Sequence, residues 1–200
     1  MHTIAFSLFI FYSKVMKLIF NNKSLLRITA NFLTLLRGVL AVPLIISLES
    51  QQFLLAWILI LIAGVSDLLD GYLARKAGGG TTWGARLDPL CDKIFICAPL
   101  IYLSSKGILP LWAVWLLIAR ELIISGWRSN HIQGAPASLL GKSKTILQFL
   151  SICLIFLPDN IVNYELYLFA NKLGLILFWP SLILALLSAY KYIKTGSDHY

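Results

Sequence analysis

The stretch Asp67-Leu-Leu-Asp70-Gly71-Tyr-Leu-Ala74-Arg75, followed after eight residues by Gly84-Ala-Arg-Leu-Asp88-Pro-Leu-Cys-Asp92, sets four carboxylates within an otherwise apolar chain. Residues three and four apart share one helix face. Asp67, Asp70, Gly71 and Ala74 therefore fall on one stripe, and Gly84, Asp88 and Asp92 on another. Eight intervening residues suffice for a turn, so the two stripes can face each other across a helical hairpin. Four carboxylates at that range repel one another and take up protons unless a cation neutralises them. Divalent metal fits best, because magnesium takes oxygen ligands and bridges substrate phosphates. Paired metals stabilise both the attacking and the leaving oxygen of a phosphoryl displacement. The small residues leave room for a flat group against backbone, and Arg75 offers a planar fork to phosphate.

The surroundings of the array identify its solvent. The chain is 58% apolar and only 13% charged, with a mean hydropathy of +0.80. Soluble domains hold about 25% charged residues, so this composition belongs to an integral membrane protein. An intramembrane carboxylate is costly and marks a site or a pair. Six apolar stretches follow one another: Phe32 to Leu48, Phe53 to Arg75, Gly84 to Leu103, Leu109 to Trp127, Leu139 to Leu157 and Tyr167 to Ile193. The expected fold is all-α, with six transmembrane helices. Gly78-Gly79-Gly80 turns the second into the third, and Pro110, Pro136 and Pro158 mark other ends.

Charge sets the orientation. With an even number of spans both termini share a side, and of 17 Lys and Arg only Lys106 and Lys172 fall opposite them. The positive-inside bias then puts both termini, and the carboxylates, at the cytoplasmic edge of the cell's inner membrane. The net charge of +8 is dispersed in short clusters, without the basic run of a nucleic-acid patch, so no nucleic-acid partner is expected. Residues 1–27 read as an interfacial or juxtamembrane segment carrying an N-terminal interfacial helix, and residues 28–200 as one membrane domain. The apolar run from Ile4 to Tyr12 precedes Lys14 and Lys17, the reverse of a secretory signal. Met16 is a second candidate start. Cys91, Cys97 and Cys153 lack metal-ligand spacing and read as small buried hydrophobes.

With all eight fixed positions filled at the right gaps, the array resembles the signature of the CDP-alcohol phosphatidyltransferases. The resemblance implies six membrane helices, a homodimer and a two-metal cytoplasmic site, with magnesium expected and manganese as the substitute. It implies transfer of a phosphatidyl or phospho-alcohol group from a CDP-activated donor to an alcohol, releasing CMP. Carried over by position, Asp67, Asp70, Asp88 and Asp92 would be the metal ligands, and Asp92 also the base that takes the acceptor proton. Gly71, Ala74, Arg75 and Gly84 would form the CDP pocket, together with Asp70.

Two further segments narrow the resemblance. Asn31-Phe-Leu33-Thr34-Leu-Leu-Arg37 is similar to the start of the first span in the phosphatidylglycerophosphate-forming members, with Ala30 where proline is usual. Asn31, Thr34 and Arg37 are candidate donor contacts; a helix cap and an interfacial arginine are the plainer readings of Asn31 and Arg37. Ile118-Ala-Arg120-Glu121 to Arg128, then Gly141-Lys142-Ser-Lys144, is similar to the second half of the same members. Glycerol 3-phosphate is a small dianion, and Arg120, Arg128, Lys142 and Lys144 form the expected cationic pocket for it. Arg120 can instead pair with Glu121, and all four can simply enforce topology. His131, in the same loop, reads as a solvated residue.

The expected reaction thus moves the phosphatidyl group of CDP-diacylglycerol, taken from membrane lipid, to glycerol 3-phosphate. Other members of the family, making cardiolipin, phosphatidylinositol phosphate or phosphatidylserine, are the nearest alternatives. A membrane prenyltransferase would place its Asp motifs far apart in separate repeats, and a divalent-cation transporter would have no use for the Ala74-Arg75 and Gly84 pattern.

Overall fold

A cap starts the first helix. The Asn22 side chain accepts the Ser24 backbone N–H at 3.0 Å, leaving the chain helical from Lys23 to Glu49 (α1). This is earlier than the apolar run beginning at Phe32. The added turns are amphipathic, and their Leu26 and Ala30 are buried against Leu73 and Ala77 of the next helix and its cap. A tight turn through Gln51, with φ of 58°, leads to α2, Phe53–Lys76. Gly78 and Gly79 take positive φ, 78° and 118°, and close the end of α2. Arg27 fastens that turn to α1 by donating from Nε to the Gly79 carbonyl at 3.1 Å.

In the computed structural model, residues 22–79, 81–130 and 139–197 are described. The expected N-terminal interfacial helix, Gly80, Pro136 and His131 lie outside them. Four more helices follow: α3, Thr82–Ser105; α4, Leu111–Asn130; α5, Leu139–Ile155; and α6, Tyr164–Ser197. Among the described residues there are six helices and no strand. Three helical segments there, Lys23–Glu49, Phe53–Lys76 and Tyr164–Tyr192, are long and apolar enough to cross a membrane. Pro43, Pro89, Pro99 and Pro180 lie within helices, which membrane helices accommodate when neighbours satisfy the freed groups.

α1 packs along both α2 and α3, α5 pairs with α6, and α4 joins α3 to α6. The core gathers Leu44 and Leu48 of α1, Ile60 of α2, Leu100 and Leu103 of α3, Leu117 of α4, Ile152 of α5 and Phe178 of α6. Trp57 Nε1 donates to the Cys153 carbonyl at 3.0 Å, tying α2 to α5. Large apolar side chains also cover the outside: Phe32, Val39, Val42 and Ile46 of α1 are all exposed. A helix apolar on both its inner and outer faces suits lipid rather than water, and the protein is a membrane protein.

The two carboxylate stripes do not meet as a directly packed hairpin. Among the described residues α2 and α3 have little backbone contact with each other, and α1 lies against both. The stripes therefore flank a cleft with α1 as its floor. The close approach of α1 to α3 depends on Gly38, where a Cβ would come within 3.0 Å of Cys91 Sγ.

Candidate active site

Every carboxylate of the array reaches the same cation. Arg37, on the floor of the cleft and only 3% exposed at its side chain, places Nη1 2.9 Å from Asp67 Oδ1. Its Nη2 lies 3.2 Å from Asp70 Oδ2, 2.7 Å from Asp88 Oδ1 and 2.6 Å from Asp92 Oδ1. Oxygens of Asp67, Asp70 and Asp88 lie within 4.8 Å of one another. The α2 pair and the α3 pair thus converge as their three- and four-residue spacings require. Asp70 is buried, whereas the Asp67 side chain is 52% exposed, so the centre opens to the outside on one side. Thr34 sits beside it, its hydroxyl 3.2 Å from both Asp70 Oδ2 and the Ala30 carbonyl.

One guanidinium against four carboxylates leaves an excess of negative charge. Asp92 Oδ1 is buried yet accepts no hydrogen bond, because the nearby Arg37 N–H groups do not point at it. A dense set of carboxylate oxygens, one of them unsatisfied, fits the oxygen-ligand chemistry of magnesium or manganese. Asp67, Asp70, Asp88 and Asp92 are the residues that would hold such an ion.

The remaining candidates divide. Asn31 engages the Thr81 hydroxyl at 2.9 and 3.1 Å, and that hydroxyl caps α3 by accepting the Gly84 N–H at 2.9 Å. Asn31 therefore supports the α3 N-terminus from α1, a contact that neither the donor-contact nor the helix-cap reading of the residue includes. A Cβ on Gly84 would collide with Asn31 Oδ1. Gly84→Ala is expected to lower stability by about 1–3 kcal/mol through this overpacking. Adding Asn31→Ala should recover part of the lost melting temperature, since contacting sites are non-additive. Thermal melts of the single and double variants in detergent check this; equal melting of Gly84→Ala and wild type would remove the contact. Gly71 leaves room for the exposed Arg75, whose Nη1 would lie 3.3 Å from an added Cβ.

The four cations of α4 and α5 are not equivalent. Arg120 and Lys144 are buried. Arg120 Nη1 donates to Glu121 Oε1 at 2.9 Å and its Nε to the Ala185 carbonyl at 2.9 Å. It also donates to Ser188, and Lys144 Nζ donates to the same Glu121 oxygen. Lys142 is exposed near the start of α5. Arg128 lies on α4, and its side chain is outside the described positions. Lys93, one residue past Asp92, is within electrostatic reach of both Asp92 and Glu121, so the two charged clusters adjoin. Arg37, a candidate donor contact by sequence, proves to be the hub of the carboxylates.

The model of the CDP-alcohol phosphatidyltransferase family matches residues 27–187. A CDP-diacylglycerol–glycerol-3-phosphate 3-phosphatidyltransferase of Rickettsia bellii is 29% identical over 177 residues, covering 85% of this chain and 96% of the relative. A probable phosphatidylglycerophosphate synthase of Mycobacterium tuberculosis is 39% identical over 137 residues, 64% of this chain and 66% of the relative. A CMP-forming cardiolipin synthase of Streptomyces coelicolor is 38% identical over 110 residues, about half of each chain (52% and 51%).

Proposed function

Because the chain belongs to the CDP-alcohol phosphatidyltransferase family, we propose that it transfers the phosphatidyl group of CDP-diacylglycerol to sn-glycerol 3-phosphate, giving phosphatidylglycerophosphate and CMP. The convergence of Asp67, Asp70, Asp88 and Asp92 carries the donor half of this reading. Magnesium held there, as two ions or with manganese in its place, would neutralise the pyrophosphate and the charge that develops on the attacking and leaving oxygens. Asp92, whose side chain is 44% exposed, takes the proton of the acceptor hydroxyl. The hydroxyl oxygen attacks the phosphorus that bears the diacylglycerol, and the bond to CMP breaks. Gly71, Ala74 and Gly84 leave space for the nucleotide, Arg75 offers a fork to its phosphates, and Asn31 and Thr34 support the donor side.

The acceptor half rests on the cations of α4 and α5, whose Arg120–Glu121–Lys144 cluster adjoins Asp92 through Lys93. Lys142 and Arg128 are the proposed phosphate ligands, with Arg120 and Lys144 as further cations of the same segments. Lys142→Ala or Arg128→Ala is expected to raise KM for glycerol 3-phosphate about tenfold or more, the worth of a charge-assisted hydrogen bond. KM for CDP-diacylglycerol should change little. Equal changes in both constants would place the phosphate elsewhere.

Around the site we place residues 28–200 as one membrane domain with six crossing helices, working as a homodimer in the inner membrane. The lopsided distribution of Lys and Arg supports cytoplasmic termini and a cytoplasmic site. Purified protein given labelled CDP-diacylglycerol and a panel of acceptors tests the assignment, with the lipid product identified by mass spectrometry. Phosphatidylglycerophosphate is expected. Failure to incorporate glycerol 3-phosphate sinks the assignment, and a cardiolipin product would favour the second reading, which the Streptomyces relative supports.

A further inference from the structure

The environment of Arg37 is odd for an arginine. Its Nη2 has two N–H bonds but lies within 3.2 Å of oxygens from three carboxylates, those of Asp70, Asp88 and Asp92. Asp88 receives a hydrogen bond at 2.7 Å. Asp92 Oδ1, at 2.6 Å, receives none. Arg37 Nε is also buried without a hydrogen-bond partner. A guanidinium is a directional fork that satisfies oxygens in its own plane. Oxygens gathered around a single point from two helices suit a small spherical cation better.

We propose that Arg37 is the internal counter-cation of the carboxylate centre: it holds the aspartates together until divalent metal displaces it, and its freed fork then engages the donor pyrophosphate. This rests on the reading that the four aspartates hold metal. Three features carry it. All four carboxylates contact the guanidinium, so Arg37 and the ion compete for the same oxygens. The guanidinium is incompletely hydrogen-bonded, which lowers the cost of moving it. Arg37 also sits on the floor of a cleft whose other walls are α2 and α3, so a released side chain remains beside whatever the aspartates hold.

The test uses purified full-length protein in detergent, without nucleotide. Labelling of Arg37 by phenylglyoxal, read by peptide mass spectrometry, should be low without metal, because the side chain is 3% exposed. Saturating Mn²⁺ should raise it several-fold, and CDP added with the Mn²⁺ should return it to the low level. Labelling that does not rise with Mn²⁺, or that stays high with CDP, overturns the proposal. In parallel, Mn²⁺ titrations followed by electron paramagnetic resonance should show Arg37→Gln binding about tenfold tighter than wild type, a usual size for coupling between two ligands. Equal or weaker binding by a folded Arg37→Gln also overturns it. If that variant does not fold, labelling of the wild type decides alone. Absence of Mn²⁺ binding by the wild type would instead break the metal reading on which the proposal rests.

Discussion

Asp92→Asn is expected to lower turnover by about a thousandfold, within the range for loss of a general base, while leaving CDP binding largely intact. The substitution keeps the shape of the side chain and an oxygen that can face Arg37. It removes the charge and the basic lone pair. Donor binding should survive because Asp67, Asp70 and Asp88 still bring oxygens within 4.8 Å of one another. The asymmetry between the two effects comes from position. Asp92 is the last carboxylate of the array, and its side chain, 44% exposed, is open to the acceptor, whereas Asp70 is buried. CMP release from CDP-diacylglycerol measures turnover, and calorimetry with CDP and Mg²⁺ measures binding. A parallel loss of both would make Asp92 a metal ligand without a role as base. Retained turnover would remove it from the proton transfer altogether.

The contrast between Asp92 and Arg37 shows what sequence carries in this fold. The carboxylate pairs were legible because their relation is local: spacings of three and four on a helix place them without knowledge of tertiary structure. The role of Arg37 was not, since it depends on α1 crossing both α2 and α3. That crossing depends on the fit of Gly38 against Cys91, which no periodicity reveals. Asn31 was hidden for the same reason, because its partner Thr81 lies 50 residues away. Burial is the other blind spot. In a membrane protein the outward face of a helix is as apolar as the inward face, so patterning does not separate core from surface. Phe32 and Val39 are exposed while Ala30 and Ala41 of the same helix are buried. Lys144 and Lys142 likewise read as equivalent cations two residues apart, although one is buried and the other exposed. Helix order and the approximate ends of α2 to α5 were legible, because apolar runs and their Gly or Pro punctuation are sequence features. The start of α1 was not, because its first turns are amphipathic.

Glu121→Ala is expected to cost about 3–5 kcal/mol of stability, the usual penalty for breaking a buried ion pair from one side. A fall of about 10 °C in melting temperature corresponds to that loss for a chain of this size. One oxygen of Glu121 receives both Lys144 and Arg120, and both cations are buried. Without it Arg120 keeps the Ala185 carbonyl and Ser188, but two positive charges remain facing each other with no anion between them. Glu121→Gln should cost less, because an acceptor oxygen remains. Combining Glu121→Ala with Lys144→Met should recover stability relative to Glu121→Ala alone, since the pair is then replaced by apolar groups. The same melts decide how the α4–α5 cations divide. If Arg120 and Lys144 are the frame that fixes α4, α5 and α6, Lys144→Met lowers melting temperature and affects both substrates through the fold. Lys142→Ala, at an exposed position, leaves melting unchanged and acts on glycerol 3-phosphate alone. Should Glu121→Ala melt like wild type and change only the constant for glycerol 3-phosphate, Lys144 would belong to the acceptor pocket, with Glu121 serving to aim it.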